Sequence, residues 1–251
     1  MKWTKKGFEE FRKGTFGNGG QNLYVSKKGT LQRIYNFDIN GDGYFDLPIA
    51  NAHSMFERPP IHVYDSLDQK EPLKLPSNGS FHGIFADLTG DGTDDLIVSC
   101  QHYGVHTDVS AIIYYASEQG LCEKYKRELR APNSYDVAAG DFNGCGKNSL
   151  AFTSNDKLRV FYNGDCGIEA SGFVELDIAG VTMDAGDLDG DGFDDLYVFH
   201  QDTGELAVYW GGEDGINPER KTVIGKSKMT DGGICASTTF GRKIDRLVPW
   251  I

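Results

Sequence analysis

The chain has 251 residues, 39% of them hydrophobic, and its 37 acidic against 25 basic side chains give a net charge of −12. So acidic a surface argues against nonspecific nucleic-acid binding, which needs a basic stripe, and no apolar run approaches the roughly 18 residues of a membrane span. The 32 glycines fit a turn-rich all-β chain better than a helical one, and the length suffices for substantial cores.

Residues 1–21 read as an N-terminal tail with at most a short helix in "KKGFEEFRKG", and "MKWTKKGFEEF" lacks the pattern of a signal peptide. From residue 22 to 251 the chain reads as one repeat domain. After a short strand in "NLYVS" comes "NFDINGDGYFDL", Asn36 to Leu47. Counting from Asp38, oxygen-bearing side chains fall at positions one, three, five and nine (Asp38, Asn40, Asp42, Asp46), with the Tyr44 carbonyl at seven. Carboxylates this crowded repel one another and raise each other's pKa, so a folded loop that gathers them needs a cation. Hard oxygen donors suit Ca²⁺; magnesium keeps its waters in a strict octahedron, and zinc would want nitrogen or sulfur. A helix-loop-helix calcium motif needs Glu at position twelve. This chain has Ile49, Val98 and Val198 there, so the loop joins two strands.

The loop recurs. "DLTGDGTDDL" offers Asp87, Thr89, Asp91, the Thr93 carbonyl and Asp95; "DLDGDGFDDL" offers Asp187, Asp189, Asp191, the Phe193 carbonyl and Asp195. Three structural Ca²⁺ sites are expected, the second weakest because Thr89 is a poorer ligand than Asn40 or Asp189. The three loops hold 12 aspartates, equal to the net charge, so three ions would offset about half of it. A further copy, "DFNGCGKNSL" (Asp141 to Leu150), has Cys145 and Ser149 at positions five and nine and has lost two ligands. A last, "TTFGRKIDRL", keeps little beyond its glycine and leucine. The closing leucines (Leu47, Leu96, Leu150, Leu196, Leu247) set the period at 49, 54, 46 and 51 residues. Later in each period comes a β-branched and aromatic strand ending in a polar turn, as in "IYYASEQGL", "VFYNGDCGI" and "VYWGGEDGI", and then a short fourth strand such as "RKTVIG". Four antiparallel strands per roughly 50 residues, repeated, predict an all-β propeller of four-stranded blades. About five blades fit in this chain, "NLYVS" supplying a closing strand to the last.

The segments "DINGDGYFDLPIAN", "DLTGDGTDDLIVS" and "DLDGDGFDDLYVF" resemble the FG-GAP (VCBS-type) calcium-binding repeats of integrin α-subunit propellers and of bacterial secreted proteins. The resemblance covers residues 22–251. It implies a β-propeller with structural calcium and leaves activity open, since such repeats occur in adhesion receptors, lectins and polysaccharide lyases. Propellers of this kind more often have seven blades, so a piece of a longer propeller is the other reading of the blade count. Calcium loops of this type suit an extracellular, secreted or cell-surface location, where the ion is millimolar.

The five cysteines form no zinc spacing. Cys145, in the loop that lost its ligands, and Cys166, in a turn at the same end of the same blade, are expected to form a disulfide. In similar propellers the opposite face binds ligands. There the first two blades carry the long connections "NAHSMFERPP" and "CQHYGVHTDV", with His53 and His102 each six residues past its leucine. With Arg58, Tyr103 and His106 they would line a polar, aromatic pocket suited to sugars or uronates. Two functions follow: a calcium-stabilised recognition module for glycans or protein partners, or a polysaccharide lyase. In the lyase His53, His102 or Tyr103 would abstract the proton next to a uronate carboxyl while Arg58 or a histidine neutralises the developing charge. No phosphate-binding glycine loop opens a helix and no nucleophile elbow is present.

Overall fold

The computed structural model describes residues 23–25, 31–33, 47–50, 58–64, 70–102, 105–154, 156–180, 182–200, 202–226, 234–239 and 243–249. Among them the chain is all-β, with a single turn of 3₁₀ helix at Glu123–Tyr125. The first loop, His53, Tyr103 and the tail lie outside the described residues.

Strands β1 (Leu23–Val25) and β2 (Leu31–Arg33) form a hairpin. A three-stranded sheet follows from β3 (Leu47–Ile49), β4 (Ile61–Tyr64) and β5 (Leu73–Leu75). Next come three four-stranded sheets. The second sheet of the stack holds β6 (Ser80–Ala86), β7 (Asp95–Cys100), β8 (Ala111–Tyr114) and β9 (Lys126–Leu129). The third holds β10 (Val137–Gly140), β11 (Ser149–Ser154), β12 (Lys157–Phe161) and β13 (Val174–Leu176). The fourth holds β14 (Thr182–Gly186), β15 (Asp195–His200), β16 (Glu205–Tyr209) and β17 (Lys221–Lys226). Strands β18 (Ile234–Thr239) and β19 (Lys243–Pro249) pair last. Every pairing joins chain neighbours antiparallel, so each sheet is a meander. The sequence-based expectation that "NLYVS" closes the last sheet is not met: β1 pairs with β2, its nearest partner along the chain.

The leucine ruler has a packing cause. Strands β7 and β11 are buried along their whole length, and β15 in all but its last residue, so both faces are covered. Because side chains alternate across a strand, Leu96 and Val98 face back into a core with Ile61, Val63 and Leu75 of the first sheet, while Ile97 faces forward into the core shared with Val137, Leu150 and Phe152 of the third. The same alternation sets Leu150 and Phe152 against the second sheet and Ala151 against the fourth, and turns Leu196 and Val198 back toward Ala138, Leu158 and Val160. In the second, third and fourth sheets position ten of the loop therefore lands on the preceding sheet. Meanwhile β9, β13 and β17 are largely exposed, which makes them the outer strands. The first strands pack against one another in sequence, β6 against β10, β10 against β14, β14 against β18, and β18 against β2.

Candidate metal centres

Both described acidic loops are wired by their own backbone before any ion is considered. In the fourth sheet's loop, Asp187 accepts the Gly190 N–H at 2.6 Å and the Gly192 N–H at 3.2 Å, with φ of 82° and 97° at those glycines. A side chain would be strained at either φ, so glycine at positions four and six lets the loop fold around position one. Asp189 accepts from Asp191 N at 3.1 Å and Asp191 from Phe193 N at 2.9 Å. Asp195, 1% exposed, accepts the Leu188 N–H through Oδ2 and the Gly211 N–H through Oδ1, both at 2.9 Å. It ties the start of the loop to the end of β16.

The second sheet repeats the pattern: Asp87 accepts from Gly90 N at 2.7 Å and Gly92 N at 2.8 Å, Asp91 from Thr93 N at 2.8 Å, and Asp95 from Leu88 N at 3.2 Å and Ala116 N at 2.8 Å. The third sheet's loop explains how the frame survives without ligands. Asp141 still accepts from Cys145 N and Gly146 N, each at 2.8 Å, and Ser149 at position nine accepts the Asn163 N–H at 3.0 Å, the counterpart of the Gly211 and Ala116 bonds. Serine performs the structural half of position nine with no charge to neutralise.

Carboxylate oxygens of Asp187, Asp189 and Asp195 all lie within 4.8 Å of one another. Two oxygens sharing one Ca²⁺ at 2.3–2.6 Å stand at most about 5 Å apart, so this donor set fits the ion. Asp191 stands outside that group. Burial pushes Asp195 up to about 6, and Asp95 likewise to about 6, because the lost hydration of the charge outweighs the two backbone N–H bonds that each accepts. No described ion pair reaches these loop carboxylates. Asp94 is also raised, by burial first and then by Asp87.

Position eight links neighbouring loops. Asn148 Nδ2 donates to the Asp87 carbonyl at 2.9 Å, and Asp194 Oδ2 accepts the Asp141 N–H at 2.7 Å while its own N–H returns to the Asp141 carbonyl at 3.0 Å. The loops of the third and fourth sheets are thus each bonded to position one of the loop before it. The expected Cys145 to Cys166 disulfide is absent: both thiols are free and exposed, and the Cys145 sulfur lies 3.5 Å from the Lys147 carbonyl and 3.6 Å from that of Asn163. The turn is closed by backbone and Ser149 contacts instead.

Of the five residues expected to line a pocket on the opposite face, His53 and Tyr103 lie outside the described residues. Arg58 and His106 are exposed and His102 is half-buried. A cavity of about 300 Å³ opens elsewhere, between the third and fourth sheets.

A buried polar cluster also went unseen in the sequence. His82 on β6 bonds through Nδ1 to Asp136 Oδ1, and Asp136 Oδ2 accepts the Met183 N–H at 2.9 Å, so three successive first strands are tied together. Burial pulls His82 down, but the charge and hydrogen bond of Asp136 outweigh it and the net shift is upward. Asp184 is pushed up to about 7, by burial above all and by Asp136 in addition; its Oδ1 accepts Ala185 N at 2.9 Å and its sealed Oδ2 has no partner. The signal was available: His82 and Asp136 each stand five residues before position one of their loops.

No family model matches the chain, and no curated protein matches it either. Among the described residues no helix is long and apolar enough to cross a membrane.

Proposed function

We propose that this protein is a calcium-stabilised β-propeller of FG-GAP type that acts outside the cell as a recognition module for glycans or protein partners. The observation that carries the reading is the convergence of Asp187, Asp189 and Asp195 oxygens within 4.8 Å in a loop whose backbone N–H donors hold Asp187 and Asp195 in place. Bound there, Ca²⁺ would supply positive charge that removes the repulsion among the carboxylates and offsets the cost of burying Asp195. The second loop, with Asp87, Asp91 and Asp95, and the first, with Asp38, Asn40, Asp42 and Asp46, would hold ions in the same way.

Face-to-face stacking of successive sheets and the packing of β18 against both β14 and β2 support a ring of blades. The metal-loop end would then be a rigid hub, since position eight bonds the loops of the third and fourth sheets each to its predecessor. The opposite end is where the sequence varies its connections, and recognition is assigned there. Calorimetric titration with Ca²⁺, paired with thermal melts in calcium and in chelator, tests the metal reading. Loss of one site's share of the binding heat in Asp187→Ala and a lower Tm in chelator are expected. Absence of both would overturn it.

A further inference from the structure

We infer that the cleft between the third and fourth sheets is a binding site for a neutral hexose unit of a glycan, with Tyr135 as the platform and Asp156 and Asp202 as hydroxyl acceptors. This rests on the recognition reading above and gives it a site and a ligand class. The cleft lies at the ends of β11 and β15 opposite the acidic loops, and its volume of about 300 Å³ is at the lower bound of small-molecule pockets. Its walls are held from behind. Thr153 Oγ1 accepts the N–H groups of Tyr135 at 2.8 Å and Asp136 at 2.9 Å, and Ser154 Oγ donates to the Pro132 carbonyl at 2.7 Å. These hydroxyls are occupied in shaping the cleft.

What remains free to meet a ligand is chemically one-sided. Asp156 and Asp202 are exposed at the rim and make no described ion pair or side-chain hydrogen bond. Among the described residues no lysine or arginine lines the cleft. His200 bonds through Nε2 to the Tyr209 hydroxyl at 3.0 Å, and burial pulls its pKa down, so it adds no positive charge near neutral pH. A uronate or other acidic sugar would meet two carboxylates with no counter-charge. Hydroxyl groups of a neutral sugar would instead donate charge-assisted hydrogen bonds to them.

The aromatic wall extends in the same direction. Tyr135 is half-buried, and Phe81 of the neighbouring sheet, 42% exposed, packs edge-on against it with ring centroids 5.5 Å apart. Each stands six residues before position one of its loop, so the repeat itself brings the two rings into contact, and Phe81 braces the Tyr135 ring that lines the cleft. Ring faces of this kind present apolar surface to the C–H face of a pyranose while leaving its hydroxyls to polar neighbours. A basic peptide is the competing occupant. Salt bridges to carboxylates exposed at a rim are worth little, about 0–1 kcal/mol, whereas the enclosed part of the cleft offers aromatic and neutral polar surface.

The test uses the whole chain in calcium, assayed for retention on immobilised mannan, galactomannan and cello-oligosaccharides, with polygalacturonate and polylysine as charged comparisons. Retention on at least one neutral glycan is expected, falling at least tenfold in Tyr135→Ala and in the double variant Asp156→Asn, Asp202→Asn. The asparagine variant keeps a residue that tolerates the φ of 63° at position 156, and an unchanged Tm in it separates lost binding from lost folding. Neutral-glycan retention that both variants leave intact overturns the cleft while sparing the recognition reading. Retention only on polygalacturonate or polylysine overturns the neutral ligand. Retention on no surface overturns the glycan assignment, and the metal reading is judged separately by its titration.

Discussion

Replacing Asp195 with alanine separates the two roles the structure gives position nine. Without metal, the side chain satisfies the N–H groups of Leu188 and Gly211. Losing the acceptor leaves two buried donors unpaired, at about 1–3 kcal/mol each. In the other direction, a carboxyl held at about 6 instead of 3.8 costs roughly 3 kcal/mol to keep ionised at pH 7.5, and alanine removes that cost. The two effects oppose, so in chelator Asp195→Ala should lower the unfolding free energy by no more than about 3 kcal/mol. In calcium at about a hundred times its Kd, wild type gains about 2.7 kcal/mol per filled site, and the variant forfeits that gain at this site. Urea unfolding followed by tryptophan fluorescence, in chelator and in calcium, reads both numbers. Asp141→Ala is the internal control: it removes acceptors for Cys145 N and Gly146 N in a loop lacking acidic groups at positions five and nine, so its cost should be equal in the two media. Equal losses for Asp195→Ala with and without calcium would refute the reasoning.

The gap in Tm between calcium-loaded and chelated protein should widen from pH 5 to pH 7.5. Asp95 and Asp195 are raised to about 6, so their contribution to metal-free stability is full below about 4 and lost as pH climbs through 6, whereas calcium needs them ionised; a gap independent of pH in differential scanning fluorimetry would contradict this. Asp184→Asn should gain stability relative to wild type as pH rises from 4 to 8, because a carboxyl raised to about 7 loses its native-state advantage across that window; parallel pH profiles would count against it. Asn148→Ala, which removes the bond to the Asp87 carbonyl, should cost about 1 kcal/mol in urea unfolding and weaken calcium binding to the second sheet's loop in calorimetry. Gly140→Ala should destabilise by about 1–3 kcal/mol, since an added Cβ would lie 3.0 Å from Asp194 Cβ and 3.0 Å from Phe142 Cε1; a neutral melt would mean that the third and fourth sheets are looser than they stand here.

Repeat, strand order and acidic loops were all legible in the chain, because each depends on local spacing. Glycine at positions four and six, aspartate at one and nine, and leucine at ten are dictated within a dozen residues, and the burial of β7, β11 and β15 on both faces follows from the apolar residues after the loop. Ser149 was readable only as a lost ligand. Its retained bond to Asn163 N shows that position nine has a second duty, which depends on the end of a strand elsewhere in the sheet.

Contacts between sheets were not legible, because they join residues about 50 positions apart whose approach depends on how neighbouring sheets stack. Asn148 with Asp87, Asp194 with Asp141, and His82 with Asp136 and Met183 are of this kind. So is the cleft between the short turns at Asp156 and Asp202, whose lining comes from two successive sheets. By itself the sequence determined which segments are strands and where carboxylates crowd, since chain connectivity and side-chain alternation fix both. Tertiary structure alone decided which carboxylates share a centre and where a ligand fits, because burial and concavity arise only when one sheet is laid against the next.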